Sequence, residues 1–242
     1  MTKAQSKKKD FAESSRAKTA LKTFRGKLIT FEGIEGSGKS THAQLLAREI
    51  RAKGYEVFEV REPGGTRLGE AIRLLLSRKG DAETMCAQAE LLLFMASRAQ
   101  LVQTVILPAL RRGAHVICDR FSDSTAAYQG YARGCNLKLI AKINTFAVQG
   151  ISADMTILLD IDPGAGFKRL QSRNRRQGTE KDRIESEGMA FHKRVRSGYL
   201  ALAKKMPRRF SVVNADRPVK KVHADIWKAV RNVLERRSQQ YA

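Results

Sequence analysis

The segment of the sequence with the clearest chemistry is a glycine-rich stretch that ends in lysine and serine. Residues 33–40 read GIEGSGKS and match the pattern G-x-x-x-x-G-K-[ST]. In such a loop the backbone N–H groups converge on a phosphate, the lysine neutralises charge, and the serine hydroxyl ligates Mg²⁺. The apolar run 28–31 precedes it and a helical pattern starts at Lys39. We predict a triphosphate site formed by Gly33, Ile34, Glu35, Gly36, Ser37, Gly38, Lys39, Ser40 and Thr41.

Asp119 and Arg120 follow a second apolar run, residues 114–118. This run predicts a buried strand whose carboxyl end carries both side chains, and ligands bind at that edge of a parallel sheet. An aspartate there can hold Mg²⁺ or its water shell, and an arginine can hold an anion. The structural alternative is a simple Asp-Arg salt bridge at a strand end.

Residues 173–183, RNRRQGTEKDR, contain no apolar side chain. We therefore predict a mobile loop here rather than core. A segment rich in guanidinium groups can close over phosphates as a lid, stabilise charge on a transferring group and exclude water, which favours transfer over hydrolysis. A solvated basic loop is the alternative.

Phe94 and Arg98 are four residues apart in a helical pattern and so share one helix face. One could stack on a base while the other donates to its edge, but the same spacing is more often a core phenylalanine beside a surface arginine. Tyr128 and Gln129 carry the same ambiguity.

The pattern of apolar runs and helical periods predicts one α/β domain over residues 27–242, preceded by a flexible basic extension, residues 1–26. Strands are expected at 28–31, 55–60, 114–118, 155–160 and 210–213. Helices are expected at 39–53, 68–76, 87–112 with an interruption at Pro108, 124–132, 137–149, after Pro163, 184–205 and 219–236.

The composition narrows the class of protein. The 242 residues carry a formal net charge of +22, which by itself would suit a polyanionic partner. Helix-turn-helix, zinc-finger and RNA-binding aromatic signatures do not accompany the charge, so nucleic-acid binding is not the expected function.

With no apolar run near membrane-spanning length and no secretory signal pattern, we expect a cytoplasmic protein without a membrane partner. Cys86, Cys118 and Cys135 have neither disulfide-framework nor zinc-site spacing.

Taken together, four motifs resemble bacterial thymidylate kinases: FEGIEGSGKST at 31–41, REPGGT at 61–66, DRF with STAAYQG at 119–121 and 124–130, and DRIE at 182–185. The resemblance implies a three-layer P-loop nucleoside triphosphatase fold, with a five-stranded parallel sheet flanked by helices and a flexible arginine-rich lid. It also implies the reaction ATP + dTMP giving ADP + dTDP, a requirement for Mg²⁺, and a homodimer.

The resemblance also implies roles for matching residues in dTMP binding. Phe94 would stack on thymine and Arg98 would bond its O4 edge. The other residues that would hold the base, sugar or phosphate of dTMP are Thr125, Gln129, Arg73, Arg120, Ser124, Tyr128, Glu62 and Pro63. Tyr128 would pack beneath the deoxyribose, and residues 214–218 would lie near the adenine.

For the transfer step, the resemblance implies catalytic roles for Lys39, Arg120, Arg173 and Glu35, with Ser40 and Asp119 at the metal. Glu35 would face the 3′-hydroxyl or the phosphate region. One branch of the family has an arginine in the phosphate loop where this chain has Gly36, so the compensating cation should come from the lid. Arg173 is the first candidate, and the sequence leaves Arg175, Arg176 and Arg183 open.

Two rival functions remain at this stage. One is a kinase for another nucleoside monophosphate or for a deoxynucleoside, and the set Phe94, Arg98 and Gln129 argues against it. The other is a nucleic-acid-binding ATPase, for which the charge is the only sequence feature.

Overall fold

The structure, a computed structural model, describes residues 26–79 and 84–235, and the predicted extension lies outside them apart from Gly26. Five strands form one parallel sheet in the spatial order β2-β3-β1-β4-β5. They are β1 (Leu28–Glu32), β2 (Val57–Arg61), β3 (His115–Asp119), β4 (Met155–Asp160) and β5 (Phe210–Asn214). The helices are α1 (Lys39–Ala52), α2 (Arg67–Ser77), α3 (Ala87–Leu101), α4 (Leu107–Arg111), α5 (Ser122–Thr125), α6 (Leu137–Ala147), α7 (Pro163–Gln177), α8 (Met189–Lys205) and α9 (Val219–Glu235), with π-helices at Val102–Ile106 and Ala126–Ala132.

Both faces of the sheet are covered by helices, as the apolar strands predict. Ile29 and Phe31 of β1 belong to a core cluster that includes the buried faces of α1, α8 and α9. Leu28 of the same strand, with Val116 and Cys118 of β3, belongs to a second cluster under α3 and α4. Since successive side chains of a strand point to opposite faces, the molecule has three layers. The predicted α/β fold with a five-stranded parallel sheet is confirmed.

The strand order decides where a site can form. β2, β3 and β1 are neighbours in the sheet, and all are parallel. Their carboxyl ends therefore bring three loops together: the glycine-rich loop after β1, the segment after β2 that starts at Glu62, and Asp119 with Arg120 at the end of β3. Ligand sites in open parallel sheets lie at this edge.

Two helical stretches are less regular than the sequence predicts. The helix expected to be interrupted at Pro108 instead contains the π-helix Val102–Ile106, and Pro108 sits at the start of α4. The helix expected at 124–132 becomes the π-helix Ala126–Ala132 after a single α-turn. A π-helix adds one residue per turn, and apolar periodicity does not reveal it.

In the described part of the chain, Ala87–Arg111 is one helical run long and apolar enough to span a membrane, contrary to the expectation from sequence. Two of its charged residues, Glu90 in the first turn and Arg98 near the middle, are both 1% exposed and hydrogen-bonded to other parts of the protein. These contacts are those of a helix packed in the protein interior.

The prediction of a loop starting at Arg173 was wrong for residues 173–177, because α7 continues to Gln177. Arginine and glutamine are good helix formers, and Asn174 is buried although it is polar. The helix ends at Gly178, whose φ of 62° is the left-handed C-terminal cap that glycine accommodates. The irregular segment therefore runs from 178 to 188, and α8 begins at Met189 rather than at 184.

Candidate active site

The glycine-rich loop has the backbone that the motif requires. Gly36 and Gly38 have φ values of 73° and 93°, and α1 begins directly after Gly38. A Cβ atom on Gly36 would lie 2.0 Å from the carbonyl oxygen of Gly166, so no side chain fits there. The close approach of α7 thus explains why this loop cannot carry its own arginine.

Lys39 lies in the loop with its ammonium group directed back at the backbone. Its Nζ donates to the carbonyl oxygen of Ile34 at 2.8 Å, and the residue is 8% exposed. Burial, followed by the nearby charge of Arg120, lowers the pKa of Lys39 to about 8. The lysine is therefore a buried cation at the floor of the loop.

Ser40 and Asp119 meet at the predicted metal site. Ser40 Oγ donates to Asp119 Oδ2 at 2.5 Å, joining the start of α1 to the end of β3. Mg²⁺ prefers hard oxygen donors and uses one or two protein ligands with phosphate oxygens and water completing its shell. This pair fits that pattern, and the described residues contain no cluster of three or more His, Cys, Asp or Glu that would form an all-protein cage.

Arg120 and Glu35 form an ion pair beside the loop. Arg120 Nη2 donates to Glu35 Oε1 at 2.8 Å, and Nη1 donates to the carbonyl oxygen of Gly33 at 3.0 Å. Burial would raise the pKa of Glu35, but Arg120, His192 and other partners outweigh it and hold that pKa well below its usual range. Arg120 itself has a φ of 70°, an uncommon conformation for a non-glycine residue and one that clusters at functional sites.

A buried network beneath Arg120 was missed by the sequence analysis. Glu32, the last residue of β1, is fully buried and accepts from Ser124 Oγ at 2.6 Å and Tyr199 OH at 2.8 Å. Burial, then the charge of Asp123, raises the pKa of Glu32 to about 7. Ser124 and Tyr199 also contact Arg120 Nη1 at 3.4 and 3.3 Å, so the network supports the guanidinium. The signal in the sequence that could have revealed this network was a glutamate, Glu32, at the end of an apolar strand.

A cavity of about 240 Å³ opens beside the loop, Asp119 and Arg120. It brings together side chains from the ends of three strands, from α2 and α3, from the second π-helix and from α7. The predicted residues that line it are Glu35, Gly36, Lys39, Ser40, Glu62, Pro63, Arg73, Phe94, Asp119, Arg120, Ser124, Thr125, Tyr128, Gln129 and Arg173. Lining residues to which the sequence analysis gave no role are Arg61, Leu76, Ser77, Asp182, Ile184 and Glu185.

Arg98 is the predicted acceptor-site residue that the structure does not place in the cavity wall. All five of its N–H groups are directed at protein acceptors, and the residue is 1% exposed. Its partners include Glu62 at 2.5 and 2.8 Å and Thr125 Oγ1 at 2.9 Å, both of which do line the cavity. The remaining acceptors are Phe121 O, Asn144 Oδ1 and Met95 Sδ. Arg98 thus supports the wall from behind, and a direct bond to a ligand would require one N–H group to change acceptor.

The structure separates the four arginines that the sequence left open. Arg173 lines the cavity, with its guanidinium bonded to Asn174 and, at 2.9 Å, to Glu185. Arg175 and Arg176 are exposed and do not line it. Arg183 is turned away, with Nε bonded to the carbonyl oxygen of Leu76 and Nη2 paired with Glu90 at 2.6 Å. Arg173 is therefore the member of the set that can reach a ligand in this geometry.

The chemistry of the cavity is that of a site for an aromatic, phosphorylated molecule. Its wall combines a lysine and several arginines, which suit phosphate, with an aromatic face and an amide, which suit a base. The Ser40 and Asp119 oxygens and the loop backbone suit a metal-bound triphosphate.

Comparison with known proteins gives one consistent family. Residues 31–226 match the thymidylate kinase family profile. The chain is 47% identical over 211 residues to a thymidylate kinase of Pelotomaculum thermopropionicum, covering 87% of this chain and 95% of the relative. It is 45% identical over 212 residues to one of Caldanaerobacter subterraneus, covering 87% and 98%. A crystal structure of thymidylate kinase from Ehrlichia chaffeensis superposes with a TM-score of 0.68 at 36% identity, covering 85% and 98%. The chain therefore belongs to the thymidylate kinase family.

Proposed function

We propose that the protein transfers the terminal phosphoryl group of Mg·ATP to dTMP, giving ADP and dTDP, and that the transfer takes place in the cavity described above. The family supplies the reaction. One observation supports this cavity as the site of transfer. The loop that carries Lys39 adjoins an arginine-rich wall, and the same wall carries Phe94 and Gln129. The reaction needs no covalent enzyme intermediate, so positioning and charge do the work.

In the donor half, the backbone of residues 33–41 cradles the ATP phosphates and the Lys39 ammonium neutralises them. Ser40 and Asp119 would hold Mg²⁺, which would neutralise charge on the phosphate oxygens when bound. Because Gly36 leaves no room for a side chain, the added cation for the transferring group comes from α7 as Arg173.

In the acceptor half, Phe94 stacks on thymine while Arg73 and Arg120 bind the dTMP phosphate. Tyr128 packs beneath the deoxyribose; its hydroxyl donates to Glu35 at 2.6 Å, which fixes the ring in place. Glu62, Pro63 and Ser124 complete the wall. Arg98 contributes by holding Thr125 and Glu62 in position, since its own donors are engaged within the protein.

We include a homodimer in the proposal. Large apolar side chains are exposed on α2, α3 and α6, and α3 packs against both of the other helices. Such surface is costly to leave in water, and a second copy would cover it. The exposed side chains are Leu68, Leu74 and Leu75 on α2, Leu92 on α3, and Leu137, Leu139 and Phe146 on α6.

A cytoplasmic location is also part of the proposal. The chain has three cysteines, and all are free thiols in the structure. Cys86 is exposed, and exposed free thiols suit a reducing compartment.

The affinity for ATP should weaken as the pH rises above 8. The pKa of Lys39 in the free protein is about 8. Bound phosphates raise that pKa, so the complex keeps a proton that the free protein loses, and the dissociation constant grows by up to about tenfold per pH unit above 8. Calorimetric titration of Mg·ATP from pH 6.5 to 9.5 measures this, with Lys39→Arg as control because a guanidinium stays charged throughout. A flat profile for the unmodified protein would contradict the assignment.

The function is tested by initial rates of ADP release from Mg·ATP, with one acceptor at a time: dTMP, dUMP, dCMP, dGMP, AMP, thymidine and single-stranded DNA. We expect fast release with dTMP and slower release with dUMP, since one missing methyl group costs roughly 1–3 kcal/mol in an apolar pocket. Release stimulated by DNA without dTMP turnover would overturn the proposal in favour of a nucleic-acid-dependent ATPase.

A further inference from the structure

Gln129 is held by a buried carboxylate on the neighbouring helix. Its Nε2 donates to Glu90 Oε1 at 2.8 Å, from the second π-helix to α3. Both residues are 1% exposed, yet Gln129 lines the cavity and Glu90 does not. Glu90 therefore lies behind a side chain that faces the acceptor.

Glu90 acts on Gln129 as an acceptor only. Burial would raise its pKa, but the hydrogen bond from Gln129 and the charge of Arg133 outweigh this and lower the pKa. Arg133 and Arg183 bind the same carboxylate at 3.2 and 2.6 Å. An ionised carboxylate has no proton to donate, so the nitrogen of the Gln129 amide, and not the oxygen, must face Glu90.

The opposite end of the amide is then fixed as well. Gln129 Oε1 receives no hydrogen bond from the described residues. It is also not one of the completely buried side-chain oxygen or nitrogen atoms that lack a partner there, so it is not closed off. Because Gln129 lines the cavity, this oxygen is an acceptor offered to whatever occupies it.

We propose that Glu90 is a positioning residue for base selection: by locking the Gln129 amide it presents an acceptor to the ring N3–H of the nucleobase. Thymine and uracil carry a proton on N3, whereas cytosine has a lone pair there and would face the amide oxygen acceptor to acceptor. The inference rests on the proposed function, since it concerns the acceptor bound in this cavity. It extends that function by naming a residue outside the cavity that sets the selectivity.

Glu90→Gln is the direct test. The two arginines require an acceptor, so the oxygen of the new amide turns toward Arg133 and Arg183 and its NH₂ group turns toward Gln129. The Gln129 amide then flips, and its own NH₂ group faces the cavity. There it can donate to the N3 lone pair of cytosine. We expect the ratio of kcat/KM for dTMP to that for dCMP to fall by about tenfold or more.

Two comparisons separate this effect from general damage to the pocket. The ratio of dTMP to dUMP should stay unchanged in Glu90→Gln, because both bases carry N3–H and differ only in the methyl group. Arg133→Gln removes a partner of Glu90 but keeps its carboxylate, so it should keep the dTMP to dCMP ratio of the unmodified protein. Equal losses for dTMP, dUMP and dCMP in Glu90→Gln would overturn the proposal.

The exchange Glu90→Gln with Gln129→Glu covers the case in which the single variant does not fold. The amide at 90 then donates to the carboxylate at 129, whose second oxygen again offers an acceptor to N3–H. We expect this double variant to prefer dTMP over dCMP, and a preference for dCMP would overturn the proposal. An unmodified protein inactive on dTMP would overturn the proposed function instead, so the two failures are distinguishable.

Discussion

Replacing Arg120 with methionine should lower kcat/KM for dTMP by about 10³-fold. The change removes the cation that we propose binds the acceptor phosphate, and it leaves the buried carboxylate of Glu35 without its main partner. Losing one partner of a buried, hydrogen-bonded charge pair costs about 2–5 kcal/mol. The pKa of Glu35 then rises, because the opposing charge is gone while the burial stays. Steady-state rates with varied dTMP measure the effect, most of which should appear in KM.

The matched control is Arg112→Met. Arg112 is also an arginine in an ion pair, with Glu56 at 3.1 Å, but both side chains are about half exposed and neither lines the cavity. It should keep kcat/KM within about twofold, since exposed ion pairs contribute little. If Arg120→Met loses less than tenfold while the control behaves as expected, Arg120 does not hold the acceptor phosphate.

Replacing Arg173 with alanine should lower kcat by about 10³-fold with little change in KM for dTMP. In the proposed function its guanidinium is the added cation for the transferring group, a role worth about 10³ to 10⁵ in phosphoryl-transfer enzymes. An interaction made mainly in the transition state lowers kcat and kcat/KM together and leaves ground-state binding in place. Single-turnover rates at saturating dTMP and Mg·ATP isolate this step from product release.

Arg175→Ala and Arg176→Ala are the controls for that variant. Both residues lie on α7 within one turn of Arg173, carry the same charge and are exposed outside the cavity. Each should keep kcat within about twofold. If either loses as much as Arg173→Ala, or if Arg173→Ala turns over normally, the transition-state cation has to be sought elsewhere on the segment.

The parts of the site that follow from sequence are those in which a short local pattern dictates geometry. The spacing of the glycines with Lys39 and Ser40 specifies the phosphate loop, and the apolar run before Asp119 places that residue at a strand end. Both depend on residues adjacent in the chain, so they need no knowledge of distant partners. The parallel sheet then brings the strand ends together, and with them the cavity.

The features that the sequence missed depend on distant partners or on helix register. Arg98 pairs with Glu62, which is 36 positions away, and this pairing holds its guanidinium behind the cavity wall. Gln129 is oriented by Glu90, 39 positions away. The continuation of α7 through its arginines is stabilised by Asn174 packing inward and by the bond from Arg173 to Glu185, which apolar periodicity does not reveal.

The measurement that tests the central claim most directly follows the phosphoryl group itself. The protein is incubated with dTMP and Mg·ATP labelled on the terminal phosphate, and the products are separated by chromatography. We expect the label in dTDP at a rate equal to that of ADP formation, with almost none in inorganic phosphate, because the proposed reaction passes the group directly to a bound acceptor. Label released as inorganic phosphate, with no labelled dTDP, would contradict the account.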